Sequence, residues 1–144
     1  MDEVVLSNEE IEAEDRFMEG IPRFNIAAFF MPFIWGPAHG FWITILYYPI
    51  LLLADDMLYE AYTQQTVLSL VLAVVLVIIL FVVSLLFAIL SQPYAAHRFV
   101  DRGHTKEMYL KRQKVWAGVS VVVFVAMIVA ATYYNLAIRP GLDF

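Results

Sequence analysis

Cysteine is absent from all 144 residues, which excludes disulfides, thiolate chemistry and cysteine metal sites. No Lys or Arg occurs between Arg23 and Arg98. No charge of either sign falls in the 25 residues from Thr66 to Leu90 or in the 24 from Val115 to Ile138. The start, MDEVVLSNEEIEAEDRFMEG, lacks the basic region and apolar core of a signal peptide and is acidic instead, so the first span is expected to act as its own signal. Charged residues make up 16% of the chain against 62% apolar, which argues against both a disordered chain and a soluble globule of this size.

What the chain does have is hydrophobic length. As a helix, Thr66 to Leu90 rises roughly 38 Å, more than the roughly 30 Å of a bilayer's hydrocarbon core. Val115 to Ile138 repeats the case, so two spans are expected at 66–90 and 115–138, the first ended by Gln92-Pro93. Ile26 to Ala54 is harder, because its helical length of roughly 43 Å is too long for one untilted crossing and too short for two. Pro32, Gly36, Pro37 and Gly40 crowd its first half, and Pro37 cannot donate the backbone bond a continuous helix needs. The expectation is a short aromatic helix over 24–35 lying in the inner interface, a turn around Trp35-Gly36-Pro37, and a span over about 38–54. Phe24, Phe29, Phe30, Phe33, Trp35, Phe41 and Trp42 suit the headgroup boundary. The alternative is a re-entrant hairpin over 24–54, whose broken backbone would have to be buried in protein.

The fold class expected is therefore an all-α membrane protein with three transmembrane helices preceded by an interfacial aromatic helix. Residues 1–23 form an acidic cytoplasmic tail, and 24–144 a single helical membrane domain with a cytoplasmic basic loop at 91–114. Ser7-Asn8-Glu9-Glu10 has capping-box spacing and can start a helix in the tail. Thr105, with Glu107 in the first turn, can cap a helix that runs through Tyr109 and Trp116 into the third span. Orientation follows from the signs. Six of the nine bases, Arg98, Arg102, Lys106, Lys111, Arg112 and Lys114, lie in one short connector, and such connectors stay cytoplasmic. The chain is thus expected to be a multi-pass protein of the cell inner (plasma) membrane, N-terminus in the cytoplasm and C-terminus outside, with Asp55, Asp56 and Glu60 in an outer loop.

Spans associate through close packing at small residues, because lipid is as apolar as Leu. Gly36, Gly40 and Thr44 make one such series at four-residue spacing; Ser69 with Ala73 and Ser84 with Ala88 make a second; Gly118, Ala126 and Ala130 make a third. Packing of the three helices into one bundle is the expected use, and Gly40→Ile is expected to impair assembly.

The spans carry little chemistry. Asn25 and His39 are the polar exceptions near the first. His97, Asp101 and His104 fall at i, i+4 and i+7, a helical face that offers zinc or iron two imidazoles and a carboxylate. Gly103 weakens that helix, and Arg98 and Arg102 oppose a cation, so the competing expectation is a solvated loop with Asp101 paired to an arginine. The six cations are expected to fix topology or to meet anionic lipid heads, each such charge adding about 1 kcal/mol near the surface. Residues 1–23 hold eight acids and two bases, and 97–114 six bases and two acids, so the tail is a candidate cover for the loop. No nucleophile, phosphate loop or catalytic motif accompanies any of these groups, so neither enzyme activity nor a cofactor is expected.

Phe24 to Gly36, with His39-Gly40-Phe41-Trp42 after it, resembles the opening F-N-W-x-A-F-x-x-x-x-x-W-G of a group of small uncharacterised bacterial membrane proteins. Thr105, Glu107, Tyr109, Gln113 and Trp116 resemble that group's S-x-E-x-F-x-x-x-Q-x-x-W run before the last span. Ile26 stands where the group often has Trp, and His39 where Asn is frequent. The resemblance implies a prokaryotic inner-membrane protein and no particular activity. The function expected is a non-enzymatic scaffold or accessory subunit contacting membrane lipids, another membrane protein or a second copy of itself, and not nucleic acid. The alternative is a protomer of an oligomeric channel or transporter, its pore lined by Thr44, Ser69, Ser84 and Ser120.

Overall fold

A computed structural model describes residues 7–142. Asp2 and Glu3 of the acidic tail lie outside the described residues. Those residues are helical with short connections and contain no strand: α1 (Asn8–Met18), α2 (Ile26–Phe30), α3 (Pro32–Ala38), a 3-10 turn (Trp42–Leu46) leading into α4 (Tyr47–Gln64), α5 (Val67–Asp101) and α6 (Lys106–Tyr133). A π-helical turn, Tyr134–Ile138, continues α6. Three helical stretches, Trp42–Gln64, Val67–Asp101 and Lys106–Gly141, are long and apolar enough to cross a membrane, and shorter helices precede them. The chain is a membrane protein.

Local chemistry sets most helix starts. Ser7 and Glu10 close a full capping box on α1, Thr66 caps α5 through Ser69 N, and Thr105 caps α6 through Met108 N. The aromatic stretch before the first span is helical as expected, but in two pieces. Met31 precedes Pro32, a position that disfavours helical backbone, and it sits at φ −133°, ψ 55°. Pro32 then opens α3 at its first position, where no N–H is needed. Trp35, Gly36 and Pro37, expected as a turn, lie inside α3. The reversal comes later, at His39 to Phe41, where Gly40 adopts φ +92°.

α2 and α3 form a hairpin that stands in the bundle. Asn25 N donates to Ala88 O at 3.1 Å, and four residues on Phe29 meets Phe81 at 5.7 Å between centroids. That is a climb of roughly 10 Å along α5. Phe30 meets Phe124 at 5.0 Å, and α3 brings the chain back to Phe87 through Trp35 at 5.9 Å. The hairpin is far shorter than one over 24–54 and leaves a full span from Trp42. Its broken backbone is satisfied inside protein, as a membrane demands: Met31 N bonds Ala27 O at 2.9 Å, and Trp35 N bonds Met31 O at 2.8 Å. Ala27, Ala28 and Ala88 are buried where α2 wedges between α5 and α6, small side chains that permit that approach.

Two expected boundaries move. Pro93 does not end the second span; α5 continues to Asp101, so residues 91–101 of the expected loop are helix. An interior proline costs about 3 kcal/mol. Two bonds tie the neighbouring residues to the segment before α2, from Asn25 N to Ala88 O at 3.1 Å and from Gln92 Nε2 to Pro22 O at 2.9 Å. The first span ends at Gln64 rather than near 54, because the left-handed Gln65 (φ 52°) makes the turn there. Asp55, Asp56 and Glu60 are thus on α4 and not in a loop. At that end Asn135 Nδ2 donates to Asp55 Oδ1 at 2.8 Å and Arg139 Nη1 to Asp56 Oδ1 at 2.9 Å.

Candidate functional site: a buried polar network under a cationic rim

At the end of the bundle that carries the α5–α6 turn, here called the basic end, four segments converge on six side chains. Asn25 lies just before α2, Trp35 on α3, His39 in the reversal, Gln92 on α5, and Tyr109 and Gln113 on α6. Trp35 and Tyr109 are fully buried. Asn25 Oδ1 accepts from Ala28 N at 2.9 Å, which caps α2. Its Nδ2 donates to Gln92 Oε1 at 2.6 Å and to Gln113 Oε1 at 3.0 Å. Tyr109 Oη donates to Gln92 Oε1 at 2.8 Å.

The partners dictate the protonation of His39. Trp35 Nε1 can only donate, and it lies 3.0 Å from Gln113 Oε1, so the amide oxygen must face it. Gln113 Nε2 then faces His39 Nε2 at 3.1 Å and donates to it, so that ring nitrogen carries no proton. His39 Nδ1, 2.7 Å from Trp35 O, is the donor. The imidazole is neutral. Burial pushes its pKa down to about 4, the Trp35 carbonyl opposes that shift, and the nearby Arg112 charge adds to it. Among the described residues every buried side-chain nitrogen or oxygen has a partner. Such a closed set holds helices in register, and it leaves no free base or nucleophile.

Around this network lies a rim of cations. Arg98 donates weakly to His39 O at 3.4 Å and lies so close to Gly40 that a Cβ there would fall 2.1 Å from Arg98 Nη1. Arg112 lies over the Phe99 ring at 5.6 Å. Arg102, Lys111 and Lys114 are exposed. Among the described residues none of the six cations between Arg98 and Lys114 makes a salt bridge. Helix α1 covers one flank. Glu14 Oε2 lies 2.7 Å from His97 Nε2, Phe17 stacks on His97 at 3.7 Å, and Lys106 sits 4.9 Å over Phe17 while donating to Arg16 O at 3.4 Å. Helix α1 therefore reaches Lys106 and leaves the Arg98 and Arg112 flank open.

The other candidates are dispersed. His97 is turned to Glu14 and Phe17, and His104 stacks on Phe99 at 4.4 Å. Asp101 is exposed and makes no salt bridge, so the expected arginine pair is not formed. No group of three such side chains that could hold a metal occurs among the described residues. Gly36 and Thr44 do touch, across the reversal: a Cβ on Gly36 would fall 2.0 Å from Thr44 Oγ1. Gly40 serves that reversal, so the series is not one helical stripe. In the second series Ala73, Ser84 and Ala88 are buried. Gly118, Ala126 and Ala130 are exposed, and nothing lies within 4 Å of a Cβ on Gly118, so within this chain they do not pack the bundle. α2 fills the space between α5 and α6 and turns the buried face of α6 toward Ser120 instead. The four hydroxyl residues do not share a lining. Ser84 bonds Tyr47, Ser120 is buried, Thr44 bonds Phe41 O, and Ser69 bonds Thr66 at the start of α5.

Gln92 carries no signal in the sequence beyond its place before Pro93. Asn25, Trp35, Tyr109 and Gln113 fall in the two stretches quoted above for the resemblance, and those stretches are the ones the network ties together. Comparison with protein-family models, with curated proteins and with solved structures finds no match to this chain.

Proposed function

We propose that this chain is a non-enzymatic scaffold or accessory subunit of a prokaryotic inner membrane, one of the small bacterial proteins its two motifs resemble. Its basic end faces the cytoplasm, its C-terminus lies outside, and it contacts anionic lipid or another membrane protein through that basic end. One observation carries the reading. Among the described residues the buried polar side chains are closed on one another, whereas the rim cations have no carboxylate partner there and can meet anions outside the chain. The positive-inside tendency supports the orientation.

Purification in mild detergent with mass spectrometry of the accompanying proteins tests it, and a membrane protein at fixed stoichiometry is the expected result. A homo-oligomer that carries ions across planar bilayers and brings nothing with it would overturn the reading in favour of a channel. Deleting residues 2–19 should raise affinity for anionic liposomes in a salt-dependent way, since α1 shields part of the rim.

A further inference from the structure

We infer that the flank of the basic end left open by α1 is a binding site for one anionic phospholipid, its phosphodiester held by Arg98 and Arg112 and its first acyl segment lying along Val115 and Val119 beside Trp116. The inference takes from the preceding reading that the basic end meets anions, and it does not depend on any protein partner.

The arrangement has the parts such a ligand needs. Arg98 comes from α5 and Arg112 from α6, and both lie beside the His39–Gly40 reversal, Arg98 at the His39 carbonyl and Arg112 close enough for its charge to depress the His39 imidazole. Among the described residues neither guanidinium meets a carboxylate; one rests against a carbonyl and one over a ring. Each keeps N–H groups for a phosphate, which arginine recognises with its planar fork. His39 offers that anion no opposing charge, because the network fixes it neutral. A cavity of about 380 Å³ lined by Arg112, Val115, Trp116 and Val119 opens directly below, and apart from Arg112 its walls are apolar. Trp116 is set by its edge contact with His39 at 5.7 Å, an aromatic at the depth where headgroup gives way to chain. Cations above an apolar trough at a helix boundary match an amphiphile that is anionic at one end. The trough runs along one face of α6, and Arg98 reaches its upper end from α5; cations placed beside a membrane attract anionic heads. A soluble phosphate would use the arginines and leave the trough empty.

Native mass spectrometry of the detergent-purified full chain, titrated with phosphatidylglycerol, tests the site. The wild-type chain should retain one such lipid at tenfold or more higher affinity than phosphatidylcholine, and glycerol phosphate should not displace it. R98Q/R112Q should lose that preference at least tenfold, whereas R102Q/K111Q, which removes the same charge, should change it less than twofold. Val119→Trp fills the trough from an exposed face and keeps both arginine charges, and it should weaken binding comparably while the protein stays folded. Equal loss in both double variants would show a diffuse surface charge and overturn the site, as would unchanged binding in Val119→Trp. Displacement by glycerol phosphate would reassign the arginines to a soluble anion and likewise overturn it. A protein partner retained without any bound lipid would sink this inference and leave the scaffold reading intact. Lipid bound at one per chain with no protein partner would uphold this inference and narrow the preceding reading to contact with lipid.

Discussion

At the basic end, Asn25, Trp35, His39, Gln92, Tyr109 and Gln113 share neutral hydrogen bonds among four segments. At the opposite end, two carboxylates of α4 meet Asn135 and Arg139, and Arg139 also lies 4.0 Å over Tyr59. The first set is directional, with four of its six side chains buried and His39 and Gln113 half-buried, and it ties the α2–α3 hairpin to both long helices. The second is partly open, with the Asp56 and Arg139 side chains 59% and 24% exposed. Neutral buried networks fix one arrangement because each unmade bond is expensive, whereas exposed ion pairs add little and yield to salt. The bundle should therefore be rigid where the hairpin enters and compliant where α4 meets α6.

The severest test of that contrast is Gln113→Leu. It leaves the Trp35 indole N–H, one Asn25 hydrogen and His39 Nε2 unpartnered together. At about 1–3 kcal/mol for each stranded buried group, a loss of about 3–5 kcal/mol is expected. Reversible unfolding in mixed detergent micelles measures it. A loss below about 1 kcal/mol would remove the network as the source of rigidity, since an ordinary exposed bond is worth as much.

Acid should attack the same end. The His39 pKa is held down to about 4 by burial, with the Arg112 charge adding to it, while the unfolded chain has the ordinary value of 6.5. As pH falls below 6.5 the unfolded state takes the proton first, so the contribution is complete above 6.5 and is lost progressively toward pH 4. Discounted for partial exposure, the loss should reach about 2 kcal/mol, at 1.36 kcal/mol per pH unit over part of that window. His39→Gln should flatten the profile between those values. An unchanged slope would assign the acid sensitivity to other groups.

How much of this was legible beforehand depends on whether a feature is local. The two long spans, the Ser7 capping box and the Thr105 cap follow from uncharged length and neighbouring side chains, and the structure carries all of them. The fate of Pro93 was not legible, because the partners of α5 beside it, Asn25 and Pro22, lie more than sixty residues away in the chain. The Gly118, Ala126 and Ala130 series was misassigned for a related reason. Small residues at helical spacing mark a surface able to approach another, and α2, expected as part of a helix in the interface and not as a wedge between spans, occupies the face that α6 actually buries. The network was visible only as scattered polar residues, since Gln92 and Gln113 sit on different helices and their pairing is set by the hairpin between them.

The opposite end should respond weakly and in a salt-dependent way. A double-mutant cycle on Asp56→Asn and Arg139→Gln should give a coupling of about 0.5–1 kcal/mol in low salt, falling toward zero in 1 M salt, where the screening length is about 3 Å. Coupling that survives high salt would mean that this pair is shielded from water, and the contrast between the ends would then be one of degree.

The smallest effect separates a helix face that meets lipid from one that meets protein. Gly118→Ala adds a methyl where nothing lies within 4 Å and removes backbone freedom from the middle of α6, so the isolated chain should gain about 0.5–1 kcal/mol. The same change against a closely seated neighbour would instead force the two backbones apart. Measured first in dilute detergent and then in native membranes, a gain in both places means that α6 presents this face to lipid. A gain in detergent that reverses in the membrane would locate the protein partner on the Gly118 face and shift the scaffold's working surface from the basic end to the side of α6.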